Sequence, residues 1–345
     1  MQLFSRDLGI DLGTSNILIY TADTGITARE PSVVAVDKNT GKILQVGSAA
    51  RNMLGRTPGN VVAMHPLKDG VISDHEMTVK MLQHLFHPTQ KFQLFTPKPR
   101  VIVSVPSGIT EVEERSVINA ALEAGARRVY LIEEPLAAAL GAGLDISGPT
   151  GHMVVDIGGG TTDIAVLTMN GVAAASSLKL AGNHFDEAIA RHIRREHQMI
   201  IGQPTAEDIK IQIGSVYHRG DDAMMQIKGR DAKSGRPREL TVTSSDIRGV
   251  LQKSALRIAD EVLSVLEDTS PELVGDIADT GIILTGGSSQ LLGMDLLLQE
   301  RIGIPCTVAD DPASCVAIGC GKSLDWITKM TEGPINLARK RLMRG

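Results

Sequence analysis

The stretch MVVDIGGGTTDIAVL, residues 153–167, places three consecutive glycines between two apolar runs. The apolar runs predict two strands, and glycine between them marks a turn or a close approach of other atoms to the backbone. The stretch therefore predicts a strand–turn–strand hairpin whose turn, at Gly158 to Gly160, lies against a ligand or another part of the chain.

A second stretch, LGIDLGTSNILIY at residues 8–20, repeats this pattern. Both have an apolar strand, an aspartate, an apolar residue, glycine, a hydroxyl residue and a second strand. The two copies lie about one domain length apart. The repeat predicts two related halves with one ligand between them.

Strand-like runs alternate with helical periodicity along the chain, which is typical of the α/β class. Strands are predicted at 7–12, 16–21, 32–37, 100–105, 129–132, 153–157, 163–168, 281–285 and 305–308. Helices are predicted at 74–86, 110–125, 135–143, 184–198, 205–213, 244–268, 289–301 and 312–328. Thr110 and Glu113 form a predicted capping box. The segments 38–70 and 218–240 predict two smaller subdomains, the latter with an exposed hairpin.

Composition excludes some function classes. The net charge of −5 and the 3% aromatic content give no basis for nucleic-acid binding. Three cysteines without CxxC spacing indicate reduced thiols, and no stretch is apolar enough for a transmembrane helix or a signal peptide.

The two glycine turns suit phosphate binding, because consecutive backbone N–H groups and a hydroxyl can converge on one anion. Each hairpin also carries an aspartate, Asp11 or Asp156, at the end of its first strand. A carboxylate beside a phosphate requires a cation, and Mg²⁺ is the ion that phosphates and one or two carboxylates hold jointly. A single glycine hairpin is equally consistent with a plain turn, but two matched hairpins favour a polyphosphate clamp.

A third glycine junction, GIILTGGSSQLLG at residues 281–293, predicts a wall on the nucleoside side of the ligand. GCGKS at 319–323 lacks the first glycine of a Walker A loop, and GGGTTD has Asp163 where a Rossmann fingerprint needs glycine.

Glu133 and Glu134 follow a predicted strand and precede a helix, where α/β folds place reactive groups. Either carboxylate could orient the water that attacks a phosphoryl group. Both are equally consistent with solvated carboxylates at a helix start.

Five segments, IDLGTSN, EEPLAAALGAG, VVDIGGGTTDIAV, TAEDIKIQIG and ILTGGSSQLLG, resemble in order and spacing the actin, heat-shock chaperone and sugar kinase ATPase superfamily. More narrowly, essentially the whole chain resembles the MreB family of bacterial actin homologues, including its Mbl-like paralogues. The resemblance implies an actin-like α/β fold, a duplicated ribonuclease H-like architecture with two domains and four subdomains around a nucleotide cleft. The implied subdomains are IA at 1–32, 66–145 and 322–345, IB at 33–65, IIA at 146–180 and 245–321, and IIB at 181–244.

The resemblance also implies residue roles for ATP or ADP with Mg²⁺. The β- and γ-phosphates would meet Gly13, Thr14, Ser15, Asn16, Gly158, Gly159, Gly160 and Thr161. Asp11 and Asp156 would act on Mg²⁺ through water, and Glu134 would polarise the hydrolytic water. The adenosine would meet Glu207, Asp208, Ile209, Lys210, Gly286, Gly287, Ser288, Ser289 and Gln290. Asp163 stands where the family usually has glutamate, a conservative change that we expect to leave phosphate binding intact.

The implied function is a slow ATPase, secondary to self-assembly into paired protofilaments, on the inner face of the cytoplasmic membrane. Cell-wall elongation machinery would be the partner, and rod shape the outcome. Leu94 and Phe95, among the basic residues Lys91, Lys98 and Arg100, suit insertion into an anionic membrane surface. The same loop is also consistent with a Phe95 that folds back into the core. A basic stretch at 339–344 would add a minor electrostatic contribution.

Two other members of the superfamily remain alternatives. A chaperone-type ATPase domain shares the hairpins, but we expect a substrate-binding domain beside it and find no such segment. A small-molecule kinase needs a base in an acceptor pocket, and no motif marks one.

Overall fold

Two five-stranded sheets dominate the computed structural model, which describes residues 7–90, 98–218, 220 and 222–324, with the backbone alone at 87–90. The first sheet contains, in spatial order, β10 (Arg128–Glu133), β9 (Arg100–Val105), β1 (Leu8–Leu12), β2 (Asn16–Thr21) and β3 (Gly25–Pro31). The second contains β18 (Cys306–Val308), β17 (Ile282–Thr285), β11 (His152–Ile157), β12 (Thr162–Thr168) and β13 (Gly171–Leu178).

The two sheets share one topology. β1 pairs antiparallel with β2 and parallel with β9, and β11 pairs antiparallel with β12 and parallel with β17. Each glycine hairpin therefore occupies the same place in its sheet, and Asp11 and Asp156 lie at equivalent positions on β1 and β11. The predicted internal repeat is confirmed as a duplicated α/β unit.

Smaller sheets extend each half. We call the first sheet and its additions the first lobe, and the second sheet and its addition the second lobe. The first lobe adds β5 (Ile43–Val46), β4 (Val34–Asp37) and β6 (Val61–Met64), and the pair β7 (Leu67–Lys68) and β8 (Val71–Ile72). The second lobe adds β14 (Met199–Ile200), β15 (Met224–Asp231) and β16 (Pro237–Thr243). The last two strands form the hairpin that the sequence predicts within 218–240.

Ten α-helices lie in the described ranges. They are α1 (Ser48–Arg51), α2 (His75–Gln90), α3 (Glu111–Glu123), α4 (Glu134–Gly141), α5 (Gly182–His197), α6 (Gln203–Ile213), α7 (Ser244–Glu267), α8 (Pro271–Thr280), α9 (Met294–Ile302) and α10 (Cys315–Lys322). The capping box predicted at the start of α3 is confirmed, because the Thr110 hydroxyl accepts from the N–H of Glu113 and the Glu113 carboxylate accepts from the N–H of Thr110.

The predicted helix at 289–301 begins later than expected. Residues Gly287–Gln290 form a short 3-10 helix, and Gly293 then adopts a left-handed φ of 79° before α9 starts at Met294. Hydrophobic periodicity does not show the turn at Gly293, because it reports only which faces of an element are exposed or buried. The outer strands β3 and β13 are also absent from the sequence prediction, because their small and polar residues lack a clear alternation.

Helices α4 and α10 lie side by side between the two large sheets. Together with Ile102, Tyr130 and Val154 they form one buried apolar cluster, which joins residues of both lobes. Gly141 and Gly319 allow the two helices to touch, because a Cβ on either glycine would lie 1.8 Å from a backbone oxygen of the other helix. This helix pair fixes the lobes to each other behind the gap between them.

In the described ranges, no helix combines the length and the apolar character that crossing a membrane requires. The three cysteines are free and buried, which agrees with the prediction of reduced thiols.

The helix contact gives a first prediction. We expect Gly319→Ala to destabilise the protein by about 1–3 kcal/mol, because the added methyl group overlaps the Ala137 carbonyl of α4. Chemical denaturation measures the change. The matched control is Gly249→Ala in α7, where no atom lies within 4 Å of the new Cβ and the substitution should stabilise by about 0.5–1 kcal/mol. Equal stability of the Gly319→Ala variant and the wild type would contradict the contact.

Candidate functional site

The turns of the two glycine hairpins face each other across the gap between the lobes and border a cavity of about 290 Å³. The first hairpin contributes Asp11, Gly13, Thr14, Ser15 and Asn16 to the lining. The second contributes Asp156, Gly158, Gly159, Gly160 and Thr161. The structure thus brings together all the phosphate-site residues that the sequence predicts.

The glycines of the second turn are required for close approach rather than for unusual backbone angles. Neither Gly159 nor Gly160 has a positive φ. A Cβ on Gly159 would lie 2.0 Å from the Ser15 hydroxyl oxygen, and one on Gly160 would lie 2.5 Å from the Thr14 hydroxyl oxygen. The part of the chain that approaches these glycines is therefore the opposite hairpin, and the two turns form the facing sides of one site.

The third glycine junction is attached to the second hairpin. Gly286 has a φ of 81°, and a Cβ there would lie 2.3 Å from the backbone oxygen of Ile157. The Ser288 hydroxyl donates a hydrogen bond to the Gly158 carbonyl at 2.7 Å. Gly286, Gly287, Ser288 and Gln290 consequently line the same cavity as the hairpins.

Besides Glu207 on α6, three carboxyl groups from different elements line the cavity. Asp11 and Asp156 lie on β1 and β11, and Glu134 is the first residue of α4. Burial raises the pKa of Asp11 and of Asp156 from 3.8 to about 7 in each case. Burial, together with the charges of neighbouring carboxylates, raises the pKa of Glu134 well above its usual value. Glu133 does not line the cavity, so the structure separates the two glutamates that the sequence leaves equivalent.

A fourth carboxyl group, Asp163, lies directly behind these three and has no solvent exposure. Its side chain accepts a hydrogen bond from the backbone N–H of Ser107 at 2.9 Å, so it also connects the lobes. Its charge is the largest Coulombic cause of the raised pKa of Glu134, and burial raises the pKa of Asp163 itself. From the sequence, Asp163 is expected to be only a conservative change. The available signal was its register opposite Asp156 across the hairpin.

The donor set fits Mg²⁺ held with a ligand's help. In the described ranges no group of three or more His, Cys, Asp or Glu side chains is arranged to hold a metal ion alone. Asp11 and Asp156 supply two carboxylates, and Mg²⁺ usually takes one or two carboxylates plus phosphate oxygens and waters. A cation beside them would also favour their ionised forms, which burial now opposes.

The side of the cavity where the resemblance implies the adenosine is built on α6. Glu207 and Lys210 line the cavity because they lie three residues apart on one helix face. The Lys210 ammonium lies 2.8 Å from the Asp186 carboxylate. Three further residues that the resemblance assigned to adenosine do not line the cavity. Asp208 lies on another face of α6, Ile209 is buried in the core of the second lobe, and the Ser289 hydroxyl donates to the Gly286 carbonyl.

An ion pair crosses the mouth of the gap. Arg51 of the first lobe lies 2.6 Å from Glu207 of the second, beside a second cavity of about 270 Å³. Nothing in the sequence indicated this pair, since its members are far apart in the chain. A ligand hydroxyl that bonds to Glu207 would compete with Arg51.

The two residues predicted to contact a membrane, Leu94 and Phe95, lie outside the described residues. The basic stretch at 339–344 lies outside them as well.

Comparison with known proteins agrees with this architecture. The family model described as MreB/Mbl protein matches residues 5–332. The chain is 50% identical over 330 residues to the cell shape-determining protein Mbl of Bacillus subtilis, which covers 96% of this chain and 99% of the relative. It is 48% identical over 329 residues to the cell shape-determining protein MreB of Escherichia coli, which covers 94% of this chain and 95% of the relative.

Solved structures give the same result. The crystal structure of MreB 5 of Spiroplasma citri bound to AMPPNP aligns with a TM-score of 0.90 at 39% identity, and the alignment covers 95% of this chain and 98% of that one. A MamK double helical filament aligns with a TM-score of 0.77 at 22% identity over 94% of this chain and 99% of that one, which supports the fold alone.

Two lobes with the same sheet topology, around a cavity lined by facing glycine hairpins, define an actin-like protein. Within that class, the chain belongs to the MreB/Mbl family of cell shape-determining proteins.

The buried carboxylates give a prediction on pH dependence. The pKa of Asp156 is raised to about 7, so its ionisation opposes folding, and this penalty grows as the pH rises from 3.8 towards 7. Without nucleotide or divalent cation, we expect Asp156→Asn to stabilise the protein at pH 8 by about 2–3 kcal/mol more than at pH 5. Urea denaturation in EDTA at both pH values measures the difference.

The matched control is Asp222→Asn, because the pKa of Asp222 is lowered to about 2 by hydrogen bonds from Ser245 and it stays ionised throughout this range. Its effect on stability should be the same at pH 5 and pH 8. An Asp156→Asn effect that is also independent of pH would contradict the burial of the Asp156 charge.

Proposed function

We propose that this protein binds ATP with Mg²⁺ in the cavity between its lobes, hydrolyses the nucleotide slowly and assembles into membrane-associated filaments that help to determine cell shape. The observation that carries the proposal is the pair of facing glycine hairpins, each with an aspartate that lines the cavity at the next-to-last position of its first strand. The solved structure of the relative from Spiroplasma citri, which is bound to AMPPNP, supports a nucleotide in this place.

The hairpins supply the phosphate contacts. Backbone N–H groups at Gly13 to Asn16 and at Gly158 to Thr161 would donate to the β- and γ-phosphates. The Thr14 hydroxyl accepts from the Gly70 N–H at 2.9 Å, which leaves its own hydrogen for a phosphate oxygen. Mg²⁺, held through waters on Asp11 and Asp156, would supply the positive charge that a triphosphate between carboxylates needs.

Glu134 is the group best placed to orient the attacking water. It lies at the base of the cavity among Asp11, Asp156 and Asp163, and only 8% of its surface is exposed. Without a bound cation, burial and then the charges of these neighbours raise the pKa of Glu134 and favour its protonated form. A cation in the cavity would favour the ionised carboxylate of Glu134, which can accept a proton from water. We therefore expect the metal to affect hydrolysis in two ways. It would neutralise phosphate charge, and it would favour the ionised form of Glu134.

Membership of the family supports the proposed assembly and the proposed role in cell shape. Two relatives about half identical to this chain are named cell shape-determining proteins, and the MamK structure with the same fold is a double helical filament. We propose paired protofilaments of this chain on the inner face of the cytoplasmic membrane, with Leu94 and Phe95 inserting between lipid headgroups and cell-wall synthesis enzymes as partners.

The role of Glu134 can be tested separately. We expect Glu134→Gln to bind ATP with wild-type affinity and to release phosphate at least about 100-fold more slowly, because the acceptor for the water proton is lost. Single-turnover phosphate release and ATP titration measure the two quantities. The matched control is Glu133→Gln. Glu133 does not line the cavity, so this variant should hydrolyse ATP at the wild-type rate. Normal turnover of Glu134→Gln would remove Glu134 from this role.

Filament formation is tested with purified protein, ATP and Mg²⁺, with and without anionic liposomes, by sedimentation and electron microscopy. We expect filaments that require nucleotide and that bind the liposomes. Replacement of Leu94 and Phe95 by serine should abolish liposome binding while filaments persist. Phosphate transfer to a sugar without any filament would instead favour the kinase alternative, and nucleotide-dependent release of a bound peptide would favour the chaperone alternative.

A further inference from the structure

The proposed phosphate site has an unusual charge balance. Four of the residues that line the cavity are acidic, namely Asp11, Glu134, Asp156 and Glu207. Neither hairpin, at 8–21 or 152–168, contains a lysine or an arginine. A nucleoside triphosphate remains negative even with one Mg²⁺ bound, so these residues alone leave part of its charge unneutralised.

Two cationic residues line the cavity in the described ranges, Arg29 and Lys210. The charge of Lys210 is already compensated. Its ammonium lies 2.8 Å from the Asp186 carboxylate, which is 3% exposed, and it donates to the Gly182 carbonyl at 3.1 Å. A buried pair of this kind is costly to break, because the partner would be left as an uncompensated charge.

Arg29 is held much less tightly. It lies on β3 opposite Leu18 of the first hairpin, and its guanidinium reaches the second lobe, where it donates to the Ser314 hydroxyl. Its acidic neighbour is Asp311, at 3.4 Å, and about half of each side chain is exposed to solvent. Exposed pairs at this separation contribute little to stability, so the guanidinium can change partners at small cost.

We propose that Arg29 is the protein's cationic contact to the phosphate chain of the nucleotide. This inference rests on the proposed nucleotide function and adds a residue to it. A guanidinium can donate two parallel hydrogen bonds to phosphate oxygens, and it stays charged at any physiological pH. The cross-strand position opposite Leu18 puts Arg29 beside the first phosphate turn, on the side nearest the second lobe.

The other role that the contacts allow is mechanical. Arg29 joins β3 to the segment before α10, so it would act only as a tie between the lobes through Ser314 and Asp311. The two roles differ in what the loss of Asp311 does. For a phosphate contact, Asp311 competes with the nucleotide, whereas for a tie it is an essential partner.

The experiment is calorimetric titration of ATP, ADP and AMP with Mg²⁺ into the wild type and three variants, Arg29→Gln, Arg29→Lys and Asp311→Asn. We expect Arg29→Gln to weaken ATP and ADP binding at least about tenfold while AMP binding changes much less, since one charge-assisted contact to the β- or γ-phosphate is lost. Arg29→Lys should retain part of the affinity. Asp311→Asn should bind ATP as tightly as the wild type or more tightly.

Wild-type ATP affinity in Arg29→Gln would overturn the inference and leave the proposed function intact. Equal weakening by Arg29→Gln and Asp311→Asn, for AMP as much as for ATP, would also overturn it in favour of the tie between lobes. If the wild type binds none of the three nucleotides, the proposed function fails and the inference fails with it. Thermal unfolding of each variant confirms that the protein titrated is folded.

Discussion

The fold buries four carboxyl groups close together, and the repulsion among them determines which charges the site can hold. Asp11, Glu134, Asp156 and Asp163 come from four different elements, and burial raises the pKa of every one of them. Like charges at such a place are tolerated only if they bind protons or if a cation enters. A cation that entered the cavity would therefore reduce the repulsion among these carboxylates. In the proposed function, Asp11 and Asp156 would attract a metal–phosphate ligand for this reason.

The duplicated topology makes the arrangement possible. Each sheet places one aspartate where its central parallel strand meets the glycine turn, and the helix pair α4 and α10 holds the two sheets face to face. The same pair positions Glu134, since α4 starts directly at the end of β10. Gly141 and Gly319 do not line the cavity, but they affect its geometry because they allow α4 and α10 to pack closely. The packing of α4 against α10 therefore sets the distances between the carboxylates of the two lobes.

Local features of the sequence predicted local features of the site. The hairpins, the aspartates on them and the capping box of α3 are each encoded within a few residues, and the structure has all of them. Features that depend on distant segments were not predictable. The pairing of Arg51 with Glu207 and the contact of Arg29 with Ser314 join positions more than 150 residues apart, and no periodicity reports such a distance. Asp163 was overlooked because its importance comes from burial, which a motif does not show.

Contacts between the lobes surround the cavity on several sides. The Ser15 hydroxyl approaches Gly159 at the turns, Arg51 binds Glu207 at the mouth, and Ser107 donates to Asp163 at the base. Ser15 and Glu207 line the cavity, so a ligand that bonds to either residue would compete with these contacts between the lobes. In the proposed function, the separation of the lobes and the occupancy of the cavity would therefore be coupled. With the proposed nucleotide bound, a surface that spans both lobes would have a shape that depends on the nucleotide, and this coupling would link phosphate chemistry to the proposed contacts between copies of the chain.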